Sequence, residues 1–550
     1  MFLVMSLAAC GDSPSSDTVP AAETAGKDSV TVENSTAHMA ETPEYGGRLV
    51  QGTIGDFVSM IPMLSADAGS HAVGSLLYVA PLRYDKDLNI VPWAAESYVV
   101  EDGGKRIRIT MRKDVRWEDG KPLTARDVEF TYRLMIDPKT PTPYADDFLR
   151  IKQFTLLDDY TFEVRYETPF SRALITWMQD ILPRHLLEGK DITSTPLAQK
   201  PVGAGPYRFK EWVRGTRLVL EASDTYFLGK PYISEVVYRV IPDLSTMFLE
   251  LKAGKLDMMN LTPQQYLYQT SGADWDARFR KFKYLSFGYG YMGYNLENPL
   301  FGDVRVRRAI TMAIDRQGLI KGVLLGLGES TIGPYKPGTW VYNTTIEEYP
   351  YDPAAARQLL EEAGWRDTDN DGVLDHDGKP FAFTILTNQG NEQRIKTATI
   401  IQSMLRDVGI TVKIRTVEWA AFLKEFVDKG RFDAMILGWN ILQDPDIWPV
   451  WHSSQTREGG LNLVKYRNPR VDELLEAGRT TLDQAKRKQA YDGIQQALHE
   501  DQPYCFLYVP YSLPIVHKRI RGVEPAPAGI EHNMDRWWIP AAERLYEVAK

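Results

Sequence analysis

Residues 286–299 read SFGYGYMGYNLENP, with Gly288, Gly290 and Gly293 at the spacing of a dinucleotide-binding fingerprint. That fingerprint works when a strand runs into the glycine turn and a helix starts straight after it, aiming its first N–H groups at a pyrophosphate. Here Tyr289, Tyr291 and Tyr294 alternate with the glycines at roughly strand period, and Asn298-Pro299 follows within one helical turn. No helix can begin where the phosphate would need it. The stretch reads as a twisted strand whose glycines serve close backbone approach, and not as a nucleotide site.

Outward from this strand, helix and strand signals alternate. RIRITM (106–111) alternates polar and apolar residues, as a half-buried strand does. Thr124 with Asp127 three residues on, then Val128, Tyr132 and Met135, predicts a capped amphipathic helix. In VRVRRAITMAIDR, Asp303 is the expected cap. Val306, Ala309, Ile310 and Ala313 are the expected buried stripe, and Arg305, Arg307 and Arg308 the solvated side. YDPAAARQLLEEAGW carries Asp352 as cap, Pro353 at the first helical position, Ala356, Leu359, Leu360 and Ala363 as the stripe, and Gly364 as terminator. Ile401, Met404, Leu405 and Val408 form another stripe ended by Gly409, after which Ile410, Val412 and Ile414 alternate as a strand. RFDAMILGW reads as a fully buried strand, so the expected class is α/β with a sheet covered on both faces.

A chain of 550 residues exceeds one hydrophobic core, so two or three lobes are expected. The net charge of −9 argues against a nucleic-acid partner, whose phosphates call for a basic surface. MFLVMSLAAC is apolar, but a membrane span needs roughly 20 such residues, and this run ends after nine. Its end, Leu7-Ala8-Ala9-Cys10, resembles a lipobox. Residues 1–10 are expected to be a lipoprotein signal peptide with Cys10 lipidated; the missing basic segment puts the true start upstream or marks a truncated chain. Residues 11–43 are rich in Ser, Thr, Ala and Glu and read as a disordered tether. Cys505 then has no partner for a disulfide and is expected to be buried.

Motifs for catalysis are missing. The eight histidines show no pair at zinc-ligand spacing, no Ser sits in a G-x-S-x-G elbow, and no Walker-type loop occurs. An enzyme is not expected, nor a cofactor. One stretch is metal-like: Asp367, Asp369, Asp371, Gly372 and Asp375 match the first nine positions of a calcium loop, with Gly378 where a bidentate Glu would stand. A structural calcium site and an acidic hairpin turning at Asp371-Gly372 and Asp377-Gly378 are both open readings.

Taken in order, DVRWEDGKPLTARDVEFTYRLM, VGAGPYRFKEW, VRVRRAITMAIDR, YDPAAARQLLEEAGW and GRFDAMILGWNILQDPD resemble the landmarks of family 5 solute-binding proteins, the extracytoplasmic receptors of peptide and nickel ABC importers. The resemblance implies a two-lobed periplasmic-binding-protein-like (class II) α/β fold with a small subdomain inserted in the first lobe. Lobe I would comprise 44–84, 201–292 and 506–550, the subdomain 85–200, and lobe II 293–505. GYGYMGYN would lie where the chain crosses between lobes and CFLYVP where it returns, the glycines absorbing hinge rotation.

By the same resemblance Gly438, Trp439 and Asn440 end a second-lobe strand at the ligand, and Tyr294, Asn295 and Tyr508 line the cleft from the crossing strands. The aspartate that reads a peptide's amine in relatives is replaced by Leu442. Asp444 and Asp446 are the nearest candidates, or Asp444 only caps the next turn with Pro445. The implied protein is a monomeric, lipid-anchored receptor on the periplasmic or cell-surface side of a bacterial membrane. It would hand short peptides to a permease; a metal chelate, opine or sugar is the alternative cargo. A calcium-dependent adhesin and a lipid-anchored hydrolase stand as readings from other classes.

Overall fold

The computed structural model describes residues 42–65, 67–440 and 444–546. Cys10, residues 11–41 of the expected tether and Leu442 lie outside them. Two large mixed sheets organise the chain. The first runs in the order Phe279–Lys281, Pro514–His517, Met258–Asn260, Arg48–Thr53, Glu235–Val240, Arg217–Ala222, Tyr207–Val213. The second runs Tyr284–Leu285, Tyr504–Ser512, Gly288–Tyr294, Ala434–Asn440, Ala382–Asn388, Thr411–Val417, with Gly328–Glu329 added against Tyr504–Ser512. Between the first and second stretches of lobe I lies an antiparallel sheet of Ala95–Glu101, Arg106–Met111, Thr161–Tyr166 and Ile151–Leu156.

Burial explains why these are separate bodies. Leu49, Leu218, Leu220 and Val236 pack on one face of the first sheet, and Val50, Val219, Val237 and Leu251 on the other. Met292, Ala434, Ile436 and Leu507 cover one face of the second sheet, and Tyr289, Tyr291, Leu437 and Phe506 the opposite one. Each strand alternates its apolar residues between two cores, as a sheet covered on both faces must. The inserted subdomain has no core of its own: Ile107, Phe162 and Val164 belong to the same cluster as Leu49 and Val236, so subdomain and lobe I form one packed body.

The lobes are joined by an antiparallel ribbon. Arg280 lies opposite Val516 in the first sheet, then Tyr284 opposite Ser512 and Met292 opposite Cys505 in the second. The change of sheet therefore falls around Phe282-Lys283 and Leu513, and the boundaries expected after 292 and 505 fall inside strands of lobe II. Gly288–Tyr294 is hydrogen-bonded along both edges, by Ala434–Asn440 and by Tyr504–Ser512, so it cannot absorb a hinge rotation. Its glycines serve close approach alone. A Cβ on Gly288 would stand 2.9 Å from the Trp439 carbonyl oxygen, and one on Gly290 3.1 Å from the Tyr508 ring. None of the three glycines has a positive φ.

The helix signals hold at their caps. Thr124 and Asp127 form a reciprocal capping box, Asp303 accepts from the Arg305 N–H, and Asp352 accepts from the Ala354 and Ala355 N–H groups. One expectation fails. Arg307 is buried, donating to the Phe301 and Gly302 carbonyls just before its own helix and to that of Asp501 at the end of the distant helix Gln484–Asp501, because carbonyls at helix ends need donors.

A buried ion pair fastens the C-terminal return. Asp257 accepts from Arg519 Nε at 2.8 Å and from the Val50 N–H at 2.8 Å, while Arg519 Nη2 donates to the Arg48 carbonyl at 3.2 Å. Arg519→Met would leave the Asp257 carboxylate buried without a counter-charge. It should lower stability by about 3–5 kcal/mol, read as a fall in the thermal midpoint by calorimetry; an unchanged midpoint would show that the pair contributes nothing.

A candidate ligand cleft between the lobes

The parallel strands set the position of the cleft. Arg48–Thr53 and Glu235–Val240 run parallel in lobe I, and Ala382–Asn388 runs parallel to both Thr411–Val417 and Ala434–Asn440 in lobe II. Ligands in α/β sheets bind outside the carboxyl ends of such strands. Those ends converge here. A Cβ on Gly55, just past the first strand, would lie 3.9 Å from Trp419 Cδ1, and one on Gly390 would lie 3.0 Å from the Pro242 carbonyl oxygen. Both contacts link a lobe I loop to a lobe II loop, so the lobes meet at the mouth of the cleft.

Gly438, Trp439 and Asn440 stand at one of these ends. Ala434–Asn440 is paired with Gly288–Tyr294 over its whole length, but with Ala382–Asn388 only at Ala434 and Met435. Beyond that, Thr387 Oγ1 donates to the Ile436 carbonyl at 3.1 Å, and the two-residue alternation turns the main-chain groups of Gly438 and Asn440 to the same side. This is an open strand edge facing the cleft. Trp439 is half-buried at the rim of a lobe II core, its Nε1–H donated to Tyr504 Oη at 3.2 Å, and Asn440 is exposed. Tyr508 is buried, with its hydroxyl 3.0 Å from Thr397 Oγ1.

Tyr294 and Asn295 are not at the cleft. Tyr294 pairs with Ala434, at the opposite end of the strand from Trp439, roughly 17 Å away at about 3.4 Å per residue. Its ring packs on Phe301 at 4.9 Å, and Asn295 donates to the Gly430 and Phe432 carbonyls. Both are structural, because the side chains at this end of the crossing strand point into the lobe II core.

Arg394, which no local motif signals, sits beside the open edge. Its Nη2 is 3.7 Å from the Cβ position of Gly438, its Nη1 donates to Asn388 Oδ1 at 2.7 Å, and its guanidinium lies 5.8 Å from the Trp419 ring centroid. Burial pushes its pKa down, and no carboxylate among the described residues pairs with it. The rule of strand ends would have pointed to the loop after Ala382–Asn388, though not to the arginine.

Asp444 and Asp446 lie across the chain from lobe I's subdomain. Asp444 accepts from Arg487 Nη2 at 2.8 Å and from the Asp446 N–H at 3.0 Å. Asp446 Oδ2 is 2.7 Å from Arg479 Nε and 3.4 Å from Arg172 Nε. Arg172 in turn donates to Asp147 at 2.8 Å, and Arg479 also pairs with Asp147. Burial raises the Asp446 carboxyl despite the arginines. At Asp147 burial works the same way, but Arg172 and Arg479 outweigh it and hold that carboxyl below its ordinary value.

The acidic loop gathers Asp367, Asp369 and Asp371, one carboxylate oxygen of each lying within 4.8 Å of the others. Asp375 is turned away, accepting from the Thr368 N–H at 2.9 Å and Oγ1 at 2.7 Å, bonds that hold its pKa down. Asp377 and Gly378, both at positive φ, make the turn of the hairpin Asp375–His376 and Lys379–Pro380. The loop thus offers three clustered carboxylates where four were expected.

Two α/β lobes, a two-strand ribbon and a cleft at the strand ends define a two-lobed solute receptor. The chain belongs to the bacterial extracellular solute-binding proteins, family 5, whose middle region matches residues 89–460. Members of this family are transport receptors, not enzymes. The oligopeptide-binding protein AppA of Bacillus subtilis (strain 168) is 35% identical over 98% of this chain and 97% of its own. The solved structure of AppA from Bacillus subtilis in complex with a nonapeptide superposes with a TM-score of 0.86 at 34% identity, covering 91% of this chain and 100% of that one. NikZ from Campylobacter jejuni in complex with Ni(L-His) gives a TM-score of 0.82 at 27% identity, covering 89% of this chain and 99% of that one.

An arginine kept buried without a counter-charge costs stability. Arg394→Gln should therefore raise the stability of the ligand-free protein by about 1 kcal/mol, measured by chemical denaturation. A clear loss of stability would mean that Arg394 is a structural group and not one held ready for a ligand.

Proposed function

We propose that this protein captures peptides between its lobes and delivers them to the permease of an ABC importer, anchored to the membrane through Cys10. The observation that carries the peptide reading is the open edge at Gly438 and Asn440. An extended main chain can add to it as a further strand, which fixes the backbone while leaving side chains free. The similarity to AppA, which binds a nonapeptide, supports the same reading. Aromatic surface from Trp439 and Trp419 flanks that edge, and Arg394 offers a cation to a carboxylate of the ligand. A ligand touching both lobes favours the closed state over the open one, so binding and closure are the same equilibrium.

The membrane anchor rests on the lipobox-like run at residues 7–10. Its direct check is Cys10→Ser, which should move the protein from the membrane to the soluble fraction.

Mass spectrometry of ligand released by denaturing protein purified from its native host should show a ladder of short peptides. A single chelate, opine or sugar would replace the peptide reading. Trp439→Ala should weaken binding of a peptide so identified by roughly 1–3 kcal/mol in titration calorimetry; a fall in thermal midpoint with unchanged affinity would make the tryptophan a core residue only.

A further inference from the structure

The charges around Asp444 and Asp446 come from two bodies. Asp147 and Arg172 belong to the subdomain that shares lobe I's core, whereas Asp444, Asp446, Arg479 and Arg487 belong to lobe II. Arg172 reaches both aspartates, at 3.9 Å and 3.4 Å, and Arg479 reaches back to Asp147. Two further links flank them: the Ser171 N–H donates to the Arg479 carbonyl at 2.8 Å, and the Arg479 guanidinium lies 5.2 Å from the Phe170 ring centroid. Arg150 of the subdomain and Glu476 of lobe II add a further pair at 2.5 Å. Arg479 and the Asp446 side chain are fully buried.

Two features decide what this cluster does. First, each half is balanced by itself. Asp147 keeps Arg172 on one side, at 2.8 Å, while Asp444 keeps Arg487 at 2.8 Å and Asp446 keeps Arg479 at 2.7 Å on the other. Separating the halves strands no fully buried charge, since Arg150 and Glu476, which do lose their partner, are both partly exposed to water, so the contact can form and break repeatedly, which an unbalanced buried pair could not do. Second, Asp444 and Asp446 already hold arginines, and the Tyr335 hydroxyl, donating to the Pro445 carbonyl at 2.7 Å, fixes the loop that carries them. A ligand ammonium would have to displace a bidentate-capable guanidinium to reach either carboxylate.

We propose that this cluster is a latch that holds lobe II against the subdomain in the closed state, and that Asp444 and Asp446 serve the latch instead of reading the ligand's amino terminus. Ligand affinity then depends on the latch through the closed-state population, and by the same factor for every ligand. Blocking the ligand's amine costs nothing. The second half of the proposal rests on the peptide reading given above; the first rests only on the two-lobed fold.

The test uses the full chain freed of ligand, with a pentapeptide of alanines around a central tyrosine and its N-acetylated form as probes. The wild type should bind both forms within about threefold of each other. Arg172→Gln should weaken both by a common factor of about ten, within the usual range of coupling between sites. Arg172→Lys, which keeps the charge, should recover part of the loss, and a thermal midpoint for each variant separates it from misfolding. Small-angle scattering of ligand-free protein should give a larger radius of gyration for Arg172→Gln than for the wild type. A wild-type preference for the free amine that Asp444→Asn abolishes would overturn the specificity claim. Equal radii with unchanged affinities would overturn the latch. If neither probe binds the wild type, the peptide reading fails, while the scattering comparison still decides the latch.

Discussion

Two separate apolar interiors, each sealed on both faces of its own sheet, are the constraint on which the remaining structure depends. Among the described residues each buried apolar core belongs to one sheet; only at the ribbon do Tyr284, Tyr511 and the neighbouring Leu327 of lobe II lie half-buried against lobe I's cores, and elsewhere loop contacts, the Ser171–Arg479 hydrogen bond and a set of paired charges cross. A hydrophobic seam between the lobes would hold them shut, because burial of apolar area scales with contact and has no easy reverse. A polar seam costs little to open, since water replaces its hydrogen bonds. The receptor's ability to close on a ligand and release it follows from where the apolar residues are not.

The inserted subdomain sharpens this. It is packed into lobe I and therefore moves with it, yet it supplies the surface that meets lobe II at Arg172 and Asp147. In the proposed latch, closure brings these two faces together.

Much of the fold was legible because the signals were local. Thr124 with Asp127, Asp352 with Pro353, and the alternation in RIRITM need only a few neighbours to take effect, and the structure follows each of them. Legibility failed where a partner came from far along the chain. Arg307 looked like a solvated charge because the carbonyl of Asp501 that it meets cannot be seen from its helix. Tyr294 and Asn295 were placed at the cleft because the crossing strand touches it, but only one end of that strand does, and residue order alone does not say which. At the candidate cleft, Gly438 and Trp439 were singled out through the landmark that carries them, and the structure puts them at a strand end. Arg394 carries no motif, and the partners of Asp444 lie in a helix some forty residues on and in a subdomain far upstream.

The strand Pro514–His517 has a consequence for how the molecule is made. It lies between Met258–Asn260 and Phe279–Lys281 in lobe I's sheet, antiparallel to both, and among the described residues Phe279–Lys281 pairs with no other strand. Lobe II, in contrast, is one uninterrupted segment whose entry and exit strands pair with each other. A chain synthesised from its N-terminus has every strand of lobe II in hand before lobe I can close its sheet, and until then two strand edges of lobe I stand open to other chains. The older half of the polypeptide is thus the last to mature, and its exposure to aggregation and proteolysis lasts until the final few dozen residues arrive.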